Sequence, residues 1–260
     1  MSDETVLSWI GEQPLSSRRD QVPEEVPVAL SFNGLAYAVM MATPLDLHDF
    51  ARGFALTEQI VHHRNQIYGI ELQEVTNGWT GDVHIHGECA QRLALKQRNL
   101  LGRTGCGLCG RESLDSVAFP EVRLPNSIYL AHSAVQRAIS LMAEAQVLNR
   151  LSGGVHAAAL FSESGERLCL KEDVGRHNAL DKLIGATEDC QLQQGVIVVT
   201  SRVSYELVEK TAIAGCEVLI AVSTVTDRAI RAANHVNLTL IGFARPGRHN
   251  IYSGAHRLMT

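Results

Sequence analysis

Residues 195–222 read GVIVVTSRVSYELVEKTAIAGCEVLIAV, and the fold class turns on this stretch. Val196-Ile-Val-Val-Thr200 and Val218-Leu-Ile-Ala-Val222 are near-continuous apolar runs of strand length, while Tyr205 to Ala214 between them has helical spacing. Strands without polar alternation belong to a sheet covered on both faces, and strands alternating with helices make that sheet largely parallel. Working outward, Val155 to Phe161, Arg167 to Leu170 and Leu238 to Phe243 are further runs of the same kind, with helical segments at Asn178 to Leu183 and Asp227 to His235. Asn126 or Ser127 is placed to cap a helix reaching Asn149, with Ile128, Ala131, Val135, Ile139 and Met142 on one face and Gly153-Gly154 at its exit. Residues 126–260 are therefore expected to form an α/β domain.

Residues 26–125 have a different pattern. Val26 to Met41 alternates around Asn33-Gly34, and Ile67 to Val75 and Trp79 to His86 are joined through Asn77-Gly78, so two antiparallel hairpins are expected. Leu47 to Ile60 has helical spacing, with Asp46 near its start, and Leu93 to Leu101 extends as a helix toward the first glycines of the next segment. This half is predicted to be a smaller mixed α+β domain. Residues 1–25, with Pro14, Ser16, Ser17, Arg18, Arg19 and Pro23, are expected to be a lightly ordered lead-in.

The 260 residues are 45% hydrophobic, ample for a buried core. A net charge of −5 opposes a broad nucleic-acid surface, so any anion must be met locally. The acidic start Met1-Ser-Asp-Glu-Thr5 lacks a signal-peptide pattern, and no apolar run approaches a membrane span. A cytoplasmic protein with reduced cysteines is expected.

Ligands of such sheets sit outside the carboxyl ends of the strands. There the chain places Glu172-Asp173-Val174-Gly175-Arg176-His177-Asn178, Ser201-Arg202-Val203-Ser204, Ser223-Thr224-Val225-Thr226-Asp227 and Arg245-Pro246-Gly247-Arg248-His249-Asn250. Any one of these loops reads as a solvated turn. Four together bring Arg176, Arg202, Arg245 and Arg248 to one rim of an acidic protein, where arginine forks and helix N-termini suit an anion with several phosphates, nucleotide-like in character. An Arg176 to Asp173 pair is expected to be structural.

Gly105-Cys106-Gly107-Leu108-Cys109-Gly110 is a Cys-x-x-Cys pair set among glycines, which gives a travelling loop more readily than a rigid redox helix. Cys89, Cys169, Cys190 and Cys216 are scattered singly, so the pair supplies half a zinc site unaided. By itself it leaves sulfur chemistry and metal or structural use equally open.

Together these segments resemble the formate dehydrogenase accessory sulfurtransferases, the FdhD family. The resemblance rests on Cys106-Gly-Leu-Cys109-Gly, Gly153-Gly-Val-His156-Ala-Ala-Ala, Glu172-Asp-Val-Gly-Arg-His-Asn-Ala-Leu-Asp-Lys182, Ser201-Arg-Val-Ser-Tyr-Glu206 and Pro246-Gly-Arg248. It covers most of the chain from about residue 26 onward, with little match over Thr76 to Leu100. It implies a cytidine-deaminase-like three-layer αβα core, a homodimer, and a cysteine desulfurase that hands sulfane sulfur to the loop. The recipient it implies is a molybdenum cofactor with two pterin guanine dinucleotides (bis-molybdopterin guanine dinucleotide), bound for the formate dehydrogenase catalytic subunit, with GDP as a mimic. By match, Cys106 carries the persulfide and Cys109 assists, with Arg103 and Arg111 favouring the thiolate. The rim residues assigned to the cofactor are Phe243, Ala244, Arg245, Pro246, Gly247, Arg248, Ser201, Arg202, Ser204, His156, Asp173, Gly175, Arg176 and His177. His156 and His177 could relay protons; Asp181 and Lys182 lie inside a helix as scaffold.

Two other readings compete. His86-Gly87-Glu88 with Cys106 and Cys109 mimics the zinc-deaminase signature, but Gly105 stands where that signature has proline, and His86 ends an alternating strand with its histidines toward solvent. A nucleotide-binding assembly chaperone without group transfer would make the cysteines dispensable. No nucleic acid, membrane or resident metal is expected.

Overall fold

The computed structural model describes residues 1–11, 13, 15–101 and 119–259. Strands β1 (Ser2–Ser8) and β2 (Ser16–Val22) pair antiparallel from Ser2 opposite Val22 to Ser8 opposite Ser16, so a hairpin replaces the expected lightly ordered lead-in. Its strands are polar and lie on the surface, with Arg19 paired to Asp3 at 3.2 Å. A hairpin with little to bury carries little hydrophobic alternation, and alternation is the signal that a strand leaves in sequence.

β3 (Val26–Phe32) and β4 (Leu35–Ala42) follow, then α1 (Leu47–Thr57), β5 (Ile67–Val75), β6 (Gly78–Ile85) and α2 (Gly87–Leu101). The four strands form one sheet in the order β4-β3-β6-β5. Asn33 and Gly34 turn with φ of 50° and 77°, the left-handed pair that a tight hairpin needs. In the second hairpin Val75 pairs with Gly78, so the turn residues are Thr76 and Asn77, one place earlier than expected. Val28, Leu30 and Phe32 alternate inward from β3 onto Phe50, Ala51 and Phe54 of α1, a core of this half's own.

Beyond residue 118 come β7 (Leu130–Ala131), α3 (His132–Ala145), α4 (Val147–Ser152), β8 (His156–Phe161), β9 (Arg167–Asp173), α5 (Arg176–Ala186), α6 (Asp189–Gln193), β10 (Val196–Val199) and α7 (Tyr205–Ile213). β11 (Val218–Ala221), α8 (Asp227–Val236), β12 (Thr239–Arg245), β13 (Arg248–Ser253) and β14 (Leu258–Met259) complete the chain. The helix expected from Asn126 to Asn149 starts only at His132 and breaks at Gln146. Ser127 is not its cap: its N–H and hydroxyl donate to the buried Glu217 carboxylate, and Leu130–Ala131 pairs with β14 instead.

The main sheet has the order β13-β12-β11-β10-β8-β9. β10, β11 and β12 are parallel neighbours, while β8 runs antiparallel to β10 and to β9, and β13 antiparallel to β12. The sheet is therefore mixed rather than largely parallel, because direct turns join β8 to β9 and β12 to β13 where a parallel crossover would need a helix. Helices α5, α7 and α8 pack on one face and α3 on the other, giving three layers. Among the described residues no helix is long and apolar enough to cross a membrane.

Helices α1 and α5 join the two halves. A Cβ on Gly53 would run into the Asp181 carbonyl, and one on Gly185 into the Asp49 carbonyl, so the helices touch backbone to backbone. Only glycine permits that approach. Gly53→Ala or Gly185→Ala is expected to destabilise the protein by about 3 kcal/mol or more, as severe overpacking does; an unchanged urea midpoint would refute the contact.

Candidate functional site

Antiparallel to β8, β9 runs in the same direction as β10, β11 and β12, so the carboxyl ends of all four share one edge of the sheet. The four loops read from the sequence therefore do meet on a single rim. Backbone hydrogen bonds join two of them to each other and to β12: Val203 N–H to the Thr224 carbonyl at 3.0 Å, Thr226 N–H to the Val203 carbonyl at 3.1 Å, and Phe243 N–H to the Ser223 carbonyl at 2.8 Å. Helices α5, α7 and α8 all begin at this rim. Thr226 caps α8 by accepting from Ala229 N–H, whereas Gly175 and Ser204 give α5 and α7 no side-chain cap.

The predicted residues divide by depth. Arg202, Arg245, Pro246, Gly247 and Arg248 are exposed, and Arg245 and Arg248 face each other across the β12–β13 turn. Phe243, 39% exposed, adopts a left-handed φ of 49° beside a register shift in β12, and the next residue, Ala244, is buried in the core rather than open to a ligand. Ser201 is buried and donates to the Arg202 carbonyl; Ser204 is half-buried, its hydroxyl 3.4 Å from Glu206.

Asp173 lies beneath the rim. Its carboxylate, wholly buried, meets Lys182 Nζ at 2.6 Å and accepts from Thr43 N–H, Gly175 N–H and Asn178 Nδ2. Nothing remains for a ligand, and the expected pairing with Arg176 gives way to Lys182. Gly175 is required by this packing, since a Cβ there would lie 2.8 Å from Asn178 Nδ2. Asp181 and Lys182 are scaffold as expected: Asp181 holds Lys210 at 2.8 Å and accepts from Thr57 Oγ1 at 2.8 Å.

Arg176 has a buried Nε that finds no hydrogen-bond partner. Its charge acts on both predicted histidines. Burial and then the Arg176 charge lower the His156 pKa, partly offset by Asp173. The same two causes push His177 down to about 4. His177 Nε2 lies 3.1 Å from Glu206 Oε2, yet off the hydrogen-bond axis. A neutral ring and an arginine whose Nε has no partner thus follow one another at the start of α5. A polar cavity of about 200 Å³ opens next to them, lined by His177, Glu206, Lys210, Glu58, Phe54 and Met40. A larger cavity of about 370 Å³, lined by Leu192 and Gly215 among others, holds none of the rim arginines. Leu192 and Gly215 precede β10 and β11, so it belongs to the opposite edge of the sheet.

Glu206 was missed as a neighbour of His177 because the two meet only when α5 and α7 pack. Cys106 and Cys109, with Arg103 and Arg111, lie outside the described residues. His86 follows β6, its Nδ1 3.4 Å from Glu88 N and its ring 6.2 Å from that of Tyr68. Among the described residues no three His, Cys, Asp or Glu side chains are grouped to hold a metal ion.

The sequence model of the FdhD/NarQ family matches residues 23–259. A curated relative, the "Sulfur carrier protein FdhD" of Variovorax paradoxus (strain S110), is 48% identical over 242 residues, 92% of this chain and 87% of the relative. The fold matches the crystal structure of a protein from Desulfotalea psychrophila described as a formate dehydrogenase accessory protein. The TM-score is 0.76 at 20% identity, over 100% of this chain and 98% of the other.

The half-buried His177 imidazole has a measurable consequence. His177 takes a proton only near pH 4 in the folded protein and near 6.5 when unfolded, so the unfolded state binds more protons between these values. Stability is expected to fall by on the order of 2 kcal/mol as pH drops through that window. A His177→Gln variant with the same slope in urea titrations would refute the assignment.

Proposed function

The chain belongs to the FdhD/NarQ family, and from that premise we propose that it is a sulfur carrier in the maturation of formate dehydrogenase. The Cys106 thiolate attacks the terminal sulfur of a cysteine desulfurase persulfide; one S–S bond breaks, another forms on Cys106, and the donor leaves as thiolate, so no outside oxidant is needed. Cys109 assists, and the sulfur goes to a molybdenum cofactor carrying two pterin guanine dinucleotides, the protein's substrate rather than a resident group. The protein works in the cytoplasm as a homodimer, on a core of the cytidine-deaminase-like kind.

The observation that carries this reading is that Arg176, Arg202, Arg245 and Arg248 all end or follow strands whose carboxyl ends share one edge of the sheet, where α5 and α7 begin without a side-chain cap. The buried, unpartnered Arg176 Nε supports it further, since such a donor is costly unless a ligand completes it. The exposed arginines suit diphosphate oxygens, and His156 and His177 on the same edge of the sheet are neutral imidazoles able to exchange a proton. The likeness to the sulfur carrier protein of Variovorax paradoxus supports the sulfur chemistry.

Two measurements test it. After incubation with a cysteine desulfurase and cysteine, mass spectrometry is expected to find one sulfur on Cys106, removable by reductant; equal labelling of Cys106→Ala would remove it from that role. Arg245→Ala or Arg248→Ala should weaken GDP binding by about 1.5 to 3 kcal/mol, the worth of hydrogen bonds to a charged group. Unchanged calorimetric affinity would return both arginines to solvated turns.

A further inference from the structure

Behind the β12–β13 turn a hydrogen-bonded chain reaches α3, on the face of the sheet opposite the rim helices. Gly247 N–H donates to Gln136 Oε1 at 2.7 Å; Gln136 Nε2 lies 3.0 Å from His249 Nδ1 and 3.3 Å from the Arg248 carbonyl; His249 Nε2 lies 2.9 Å from His132 Nδ1. A backbone N–H only donates, so it fixes which end of the Gln136 amide is oxygen. The amide nitrogen then donates, and His249 Nδ1 must carry no proton. Neutral His249 therefore bears its proton on Nε2 and donates it to an unprotonated His132 Nδ1. The two ring planes lie within 19° of each other with centroids 5.1 Å apart, the edge-to-edge arrangement that an in-plane N–H···N bond gives. The chain closes only when both imidazoles are neutral, and burial followed by the influence of His132 lowers the His249 pKa in the same sense.

We propose that Gln136, backed by His249 and His132, is the positioning group of the Arg245–Arg248 turn, holding both arginines in the geometry that takes a diphosphate. This rests on the phosphate reading of the rim. Because the Gly247 N–H is engaged by Gln136, the turn meets its ligand with arginine side chains rather than backbone donors. Acid opposes the arrangement: a proton on His249 Nδ1 faces the Gln136 amide NH₂, and one on His132 Nδ1 faces the His249 N–H. The charged groups on the surrounding elements are Arg245 and Arg248 on the hairpin, Arg137 and Glu144 on α3, with Arg137 3.9 Å from Glu166, and Arg228 on α8, which lies over the Phe119 and Tyr205 rings. On α8, Asp227 and Arg231 pair with each other at 2.6 Å.

The test is calorimetric titration with GDP between pH 8 and pH 5. Gln136→Ala is expected to bind about fivefold to tenfold more weakly at pH 8, the loss of one or two hydrogen bonds. Gln136→Glu keeps an acceptor for Gly247 N–H but needs a proton on His249 Nδ1, so its affinity relative to wild type should rise as pH falls, a ratio that cancels the titration of GDP itself. Arg248→Ala serves as the control for the rim. Wild-type affinity in Gln136→Ala beside an impaired Arg248→Ala would overturn the positioning role and leave the phosphate site standing. Unimpaired binding by both, or no binding by wild type, would overturn both readings. A weakened Gln136→Ala whose Glu counterpart does not recover at low pH would mean general loosening, and would overturn the positioning role.

Discussion

The structure depends on the backbone contact between α1 and α5 at Gly53 and Gly185. Each half has a core of its own, but neither core explains why they sit together. With no Cβ at the crossing, the helices come close enough for side chains on either flank to reach the opposite half. Lys210 on α7 thereby meets Asp181 on α5, Thr57 at the end of α1 and Glu58 just beyond it. Lys182 on α5 meets Asp173 and the Thr43 carbonyl.

Those charges lie out of water, where each ion would be costly alone and is tolerated because every partner is in place. Removing one member would strand the rest, so the pairs hold the halves in one relative position more than they add net stability. That position also shapes the rim. Asp173 receives an N–H from Thr43 of the first half and one from Gly175 of its own loop, which sets the start of α5 and with it Arg176 and His177. A buried cation and its carboxylate thus stand directly behind an arginine whose Nε is left without a partner. The fold uses its polar interior to fix a polar site.

The sheet adds the second constraint. Pairing β9 antiparallel to β8, and β8 antiparallel to β10, restores to β9 the direction of the parallel strands. The expectation of a largely parallel sheet was wrong in its pairings, yet the inference of one common rim survived, because four of the six strands still point the same way. The β12–β13 turn is tied to the opposite face through Gln136.

The chain itself determined whatever rests on local periodicity and turn chemistry. Val196 to Thr200 and Val218 to Val222 could only be interior strands, Asn33-Gly34 could only be a tight turn, and the arginines following strands had to lie at strand ends. The tertiary structure alone decided whatever depends on partners distant in sequence. It assigned Asp173 to Lys182 instead of Arg176, turned Ala244 into the core, used Ser127 to satisfy Glu217, and set Glu206 against His177. The reason is that a side chain's charge and hydrogen-bonding capacity belong to the residue, whereas its partner is whichever group the packing of helices on the sheet brings within about 3 Å.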